Sequence, residues 1–101
     1  MRARRRDTNE KKIIKVFERT GAMVVRINDD RVKGIPDLLV GYKGYNLLVE
    51  VKTEKGTLSP EQLEFISEWP GGRPFVARSV EEAQEIIDRL RLRRRGVTTN
   101  V

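Results

Sequence analysis

The segment DLLVGYKGYNLLVEVK, residues 37–52, constrains the fold more than any other part of the chain. Two apolar runs, 38–40 and 47–51, flank the polar link GYKGYN. That layout predicts two strands of an antiparallel hairpin. With the turn centred on Lys43 and Gly44, Leu39 falls opposite Leu48 and Asp37 falls opposite Glu50. Side chains alternate along a strand, so Leu47, Val49 and Val51 share one face while Leu48, Glu50 and Lys52 share the other. Two carboxylates and a lysine therefore project together from one end of the hairpin.

Opposed like charges destabilise a strand pair, so the arrangement asks for a cation between Asp37 and Glu50. Mg²⁺ suits it, because that ion commonly takes one or two carboxylates together with phosphate and water. The inference depends on register, since a slip of one residue turns a whole strand over. A plainer reading stands beside it: an Asp at a loop end and a Glu–Lys surface pair on an edge strand. The pattern leaves both open. Two further residues share the ambiguity. Glu10 lies along the inward stripe of Ile13, Ile14 and Phe17, yet with Asp7 as N-cap it also fits the third position of a capping box. Gln62 likewise completes a capping box with Ser59.

Around the hairpin, DTNEKKIIKVFERTG reads as a first helix starting at Asp7 and stopped by Gly21, and MVVRI as a strand. The polar stretch NDDRVKGIPD is expected to be a loop. Ser59 caps a second helix with Pro60 at its first position and Gly71 and Gly72 beyond its end. RPFVAR is a short last strand. A third helix follows from a Ser79–Glu82 capping box, with Ala83, Ile86, Ile87 and Leu90 facing inward. Helix, three strands, helix, strand, helix implies a central sheet flanked by helices, of the α/β or α+β class. Tyr42 and Tyr45 flank the turn as a cross-strand pair, and Trp69 is expected to be a packing aromatic. Residues 1–7 read as a basic arm, 8–95 as one domain and 96–101 as a loose tail.

With 101 residues, 38% of them hydrophobic, there is enough apolar material for one core only. The chain has no cysteine and no histidine. Disulfides, thiolate zinc sites, His general bases and His-ligated metals are thereby excluded. Catalysis must rest on carboxylates, lysine, hydroxyls or arginine, with a hard cation on oxygen ligands. A net charge of +6 and a pI near 10.1 point to a polyanionic partner. The excess is concentrated in Arg2 and Arg4–Arg6 and in Arg89, Arg91 and Arg93–Arg95. Arg26, Arg31 and Lys33, around the loop before Gly34, are candidate phosphate contacts; a solvated charged loop is the alternative. No apolar run approaches membrane-spanning length and no signal peptide follows Met1, so a soluble, cytoplasmic protein is expected.

Pro36-Asp37, a gap of twelve residues and Glu50-Val51-Lys52 make up a PD-(D/E)xK pattern. That short pattern recurs by chance. The longer string GIPDLLVG…LLVEVKTEKGTLSPEQLEFI, with Glu10 upstream and FVARSVEEAQEII downstream, closely resembles the virus-type replication-repair nuclease (VRR-NUC) family in its stand-alone form, over roughly residues 8–90. The resemblance implies a restriction-endonuclease-like α/β/α core, a small mixed sheet flanked by helices. It also implies phosphodiester hydrolysis dependent on Mg²⁺, with Mn²⁺ able to substitute. By similarity Asp37, Glu50 and the Val51 carbonyl would hold the metal. Lys52 would position or activate the attacking water and stabilise the phosphate. Glu10 would match the helix carboxylate that orients the metal's water, and Gln62 a glutamine that orients Lys52 or a phosphate. The stand-alone form implies a homodimer acting on branched DNA, first of all a four-way junction, with flap or nicking cleavage as the alternative. No membrane and no small-molecule cofactor are implied. A basic module that binds nucleic acid without cutting it is disfavoured, because Asp37, Glu50 and Lys52 are all present.

Overall fold

The computed structural model describes the backbone of residues 2–94 and the side chains of residues 8–94. In chain order the elements are α1 (Arg2–Arg19), β1 (Met23–Arg26), β2 (Leu38–Tyr42), β3 (Tyr45–Val51), α2 (Pro60–Glu68), β4 (Phe75–Ala77) and α3 (Val80–Arg94). The expected tail, 96–101, lies outside the described residues.

β2 and β3 pair antiparallel with Leu39 opposite Leu48 and Tyr42 opposite Tyr45, the register read from the sequence. The turn holds it. Lys43 and Gly44 both have positive φ, 42° and 88°, as a type I′ turn requires, and this turn matches the twist of the flanking strands. β1 joins the free side of β2 antiparallel, and β4 joins β3 in parallel, giving a mixed sheet in the order β1-β2-β3-β4.

One face of this sheet makes the core. Leu38, Val40, Tyr42, Leu47, Val49 and Val51 are buried there with Ile13, Val16 and Phe17 of α1 and Ala83, Ile86, Ile87 and Leu90 of α3. Burial of each large side chain contributes about 1.5–3 kcal/mol, so this layer carries the fold. The opposite face is thinly covered. Met23, Val25 and Leu39 are exposed, and α2 contributes no buried residue. The flanking of the sheet by helices is as expected, but the third layer is one short helix set against one end of the sheet.

Two helix starts sharpen the sequence reading. α1 begins at Arg2 rather than Asp7: alanine and arginine are good helix formers and no breaker precedes Asp7. The residues expected as an arm are thus largely helical, and Asp7, inside the helix, cannot be its N-cap. At α3, the Glu82 N–H donates to Ser79 Oγ as expected, but the Glu82 carboxylate reaches past the cap to accept from the Arg78 N–H.

Candidate active site

The site is assembled where the hairpin opens. Asp37 precedes β2, and its backbone carbonyl accepts from the Ile27 N–H at 2.8 Å, tying it to the end of β1. Its side chain turns the other way, where Oδ2 accepts from the Val51 N–H at 2.8 Å. A carboxylate thus takes the place of the next backbone rung between β2 and β3. In an extended strand the N–H and C=O of one residue lie on the same edge, so the Val51 carbonyl faces the Asp37 side as well. Glu50 projects from the opposite face to Val49 and Val51. Asp37 and Glu50 are 3% and 2% exposed. Burial of two carboxylates at one strand end is costly and rare in a core kept only for stability.

Gln62 joins this pair to α2. Its Oε1 accepts from the Ser59 N–H at 2.8 Å while Ser59 Oγ accepts from the Gln62 N–H, a complete capping box. Its Nε2 donates to Glu50 Oε2 at 3.0 Å. The capping and site readings of Gln62 are therefore not alternatives, since one amide serves both through its two ends. The start of α2 is pinned in turn by Gly34 (φ +80°), where an added Cβ would lie 2.2 Å from the Glu61 carbonyl oxygen.

Glu10 comes from α1. It is 6% exposed, and its Oε1 accepts from Arg26 Nε at 2.9 Å. With Asp7 inside the helix, the capping-box reading of Glu10 falls away, and its partner is a strand arginine at the same end of the sheet. Glu10, Arg26, Lys33, Asp37 and Gln62 line one cleft of about 800 Å³. Glu50 lies behind that wall and is reached through Gln62, and Lys52, half-buried, follows the end of β3.

The three basic candidates separate. Arg26 and Lys33 line the cleft, and Arg31 does not. Arg31 makes a two-pronged ion pair with Asp29 at 3.0 Å on each prong. That contact holds the Asp29 carboxyl below its ordinary range and raises the Arg31 guanidinium. Two residues passed over in the sequence belong to the same neighbourhood. Lys11, next to Glu10, lines the cleft, and Asn9 binds the end of β3 through the Lys52 carbonyl. Adjacency to Glu10 was the only signal for either.

The donor set suits a hard cation: two carboxylates and a backbone carbonyl, all oxygen. Among the described residues no three acidic side chains gather closely enough to hold an ion by themselves. A hard cation held here would need the carbonyl, water and a phosphate beside the two carboxylates.

A family model described as archaeal Holliday junction resolvase (Hjc) matches residues 1–99. The chain belongs to this family. Among solved structures, a chain titled "VRR_NUC domain" is similar at 29% identity and a TM-score of 0.71, over 82% of this chain and 94% of that one. No curated protein matches. The Hjc membership and the VRR-NUC fold make this a nuclease of the PD-(D/E)xK kind, and they agree with the resemblance carried by Pro36-Asp37 and Glu50-Val51-Lys52. Among the described residues no helix is long and apolar enough to cross a membrane.

Proposed function

We propose that this Hjc-family chain is a homodimeric, divalent-metal-dependent endonuclease that cuts four-way DNA junctions. The observation that carries the reading is the buried pair Asp37 and Glu50, set with the Val51 carbonyl at one strand end and followed by Lys52. Asp37, Glu50 and the Val51 carbonyl are the groups that would hold Mg²⁺, or Mn²⁺ in its place. A cation bound there lowers the pKa of water and offsets charge on the scissile phosphate. Lys52 orients the attacking water and stabilises the negative charge that builds on phosphate oxygens. Gln62 keeps Glu50 turned toward the site. Glu10 accepts a hydrogen bond from the water on the cleft side, and Arg26, its partner in the resting protein, is exposed enough to swing to a phosphate. Lys33 supplies a second phosphate contact. Arg31, committed to Asp29, contributes less.

Two copies are needed because a four-way junction presents two equivalent strands, and a two-fold dimer places one site on each. The thinly covered sheet face supports this reading. Met23, Val25 and Leu39 are 75%, 44% and 37% exposed, and Leu63 of α2 and Trp69 at its C-cap are also open. By strand register Met23, Val25 and Leu39 lie on the same face as Glu50, so a partner seated there fixes the spacing between two active centres.

A cleavage panel tests the proposal: a four-way junction, a flap, a splayed arm and linear duplex, each with Mg²⁺, Mn²⁺ or EDTA. Paired symmetric cuts confined to the junction and abolished by EDTA are expected. Preference for the flap or a single nick selects the alternative nuclease reading, and binding without any metal-dependent cut selects a non-catalytic module.

A further inference from the structure

The parallel ladder between β3 and β4 ends in a contact that the proposed chemistry leaves unused. Its last backbone rung is the Lys52 N–H donating to the Ala77 carbonyl at 3.0 Å. Just beyond it, the carbonyls of Lys52 and Arg78 both accept from one group, Asn9 Nδ2, at 2.6 and 3.2 Å. The amide orientation is fixed by chemistry. Both partners are oxygens that only accept, so the NH₂ end must face them, and it has two hydrogens to give. A single side chain on α1 thus clips the ends of two strands that lie 43 and 69 residues away in sequence.

The neighbouring residue gives this clip its meaning. Glu10 follows Asn9 directly and is bound to Arg26 of β1. Consecutive residues of one helix therefore grip the two sides of the site, Asn9 at the exit of β3 and Glu10 at the end of β1. Lys52 is the first residue past β3, where the sheet no longer dictates its backbone. We infer that Asn9 is a positioning residue for cleavage: it fixes the backbone of Lys52 and sets the spacing between the lysine and Glu10. This rests on the reading of Lys52 as catalytic. A helix-to-sheet staple of purely structural value would instead affect stability alone.

The test is single-turnover cleavage of a four-way junction with Mg²⁺ at saturating protein, beside junction affinity in EDTA and thermal melting. Asn9→Ala and Asn9→Asp are compared with wild type and Lys52→Ala, at a temperature where melting shows each to be folded. Misplacement of a catalytic group by about 1 Å costs on the order of 10²-fold in rate. The expected result is a rate about 10–100-fold lower for Asn9→Ala and at least as low for Asn9→Asp, with affinity within about twofold of wild type. Asn9→Ser, which retains a hydroxyl donor, should recover part of the rate. Wild-type rates per folded molecule in Asn9→Ala and Asn9→Asp, with Lys52→Ala inert, overturn the role of Asn9 alone. Parallel loss of affinity and rate overturns it too. Undiminished cleavage by Lys52→Ala overturns the underlying assignment and this role with it.

Discussion

Replacing Glu50 by Gln should make the metal-free protein more stable and the metal-loaded protein less so. Glu50 is 2% exposed, and the 3% exposed Asp37 carboxylate stands at the same strand end. Two unit charges about 5–10 Å apart repel by about 2–3 kcal/mol at an effective dielectric constant of about 20. The Lys52 ammonium, one residue past β3, offsets part of this. The bond from Gln62 Nε2 to Glu50 Oε2, 3.0 Å long, survives Glu50→Gln as a weaker neutral bond. A net gain of about 1–2 kcal/mol remains, which is roughly 5–15 °C in Tm for a domain of this size. Metal should reverse the order. At a hundred times its Kd, Mg²⁺ stabilises a binding-competent fold by about 2.7 kcal/mol, and Glu50→Gln forfeits most of that gain. The assay is thermal melting of both proteins in EDTA and across a Mg²⁺ titration, and the curves of Tm against metal should cross. A variant less stable than wild type in EDTA, or parallel curves on titration, would refute the reasoning.

Three further outcomes are expected. Gln62→Glu keeps a side chain that completes the cap of α2 but turns the bond to Glu50 Oε2 into carboxylate against carboxylate, so melting in EDTA should fall by several degrees and cleavage at least tenfold; unchanged melting and cleavage would make Gln62 a cap only. Gly34→Ala forces a Cβ toward the Glu61 carbonyl at a φ of +80°, and left-handed backbone alone costs about 1–2 kcal/mol for a non-glycine residue; chemical denaturation should show at least that loss, with cleavage reduced through a displaced α2. Arg31→Ala should leave the salt dependence of junction binding nearly unchanged because its charge is paired with Asp29, whereas Lys33→Ala should flatten the slope by about 0.9 for one lost phosphate contact; equal effects would refute the distinction.

Much of the hairpin was legible because it rests on local rules. The Lys43-Gly44 turn sets the register, and register sets the faces, which puts Glu50 on the face away from the core. The α2 boundary was legible for the same reason, since Ser59, Pro60 and Gln62 are neighbours in sequence. What escaped depends on distant contacts. Asn9 is one polar residue among many on a charged helix until the ends of β3 and β4 arrive beside it. Arg31 looked like a phosphate contact because a charge count does not show that its fork closes on Asp29. The boundary signals of α2 say nothing of what covers its apolar residues, and among the described residues Leu63 stays 54% exposed.

Asp37, Glu50 and Lys52 are proposed to act as one metal-dependent centre that cuts junction DNA. The most direct measurement is cleavage of a four-way junction by wild type, Glu50→Ala and Lys52→Ala in Mg²⁺, with junction affinity measured on the same preparations. Paired symmetric cuts by wild type, none by either variant, and affinities within a few-fold of one another are the predicted result. Persistent metal-dependent cutting by both purified variants would contradict it.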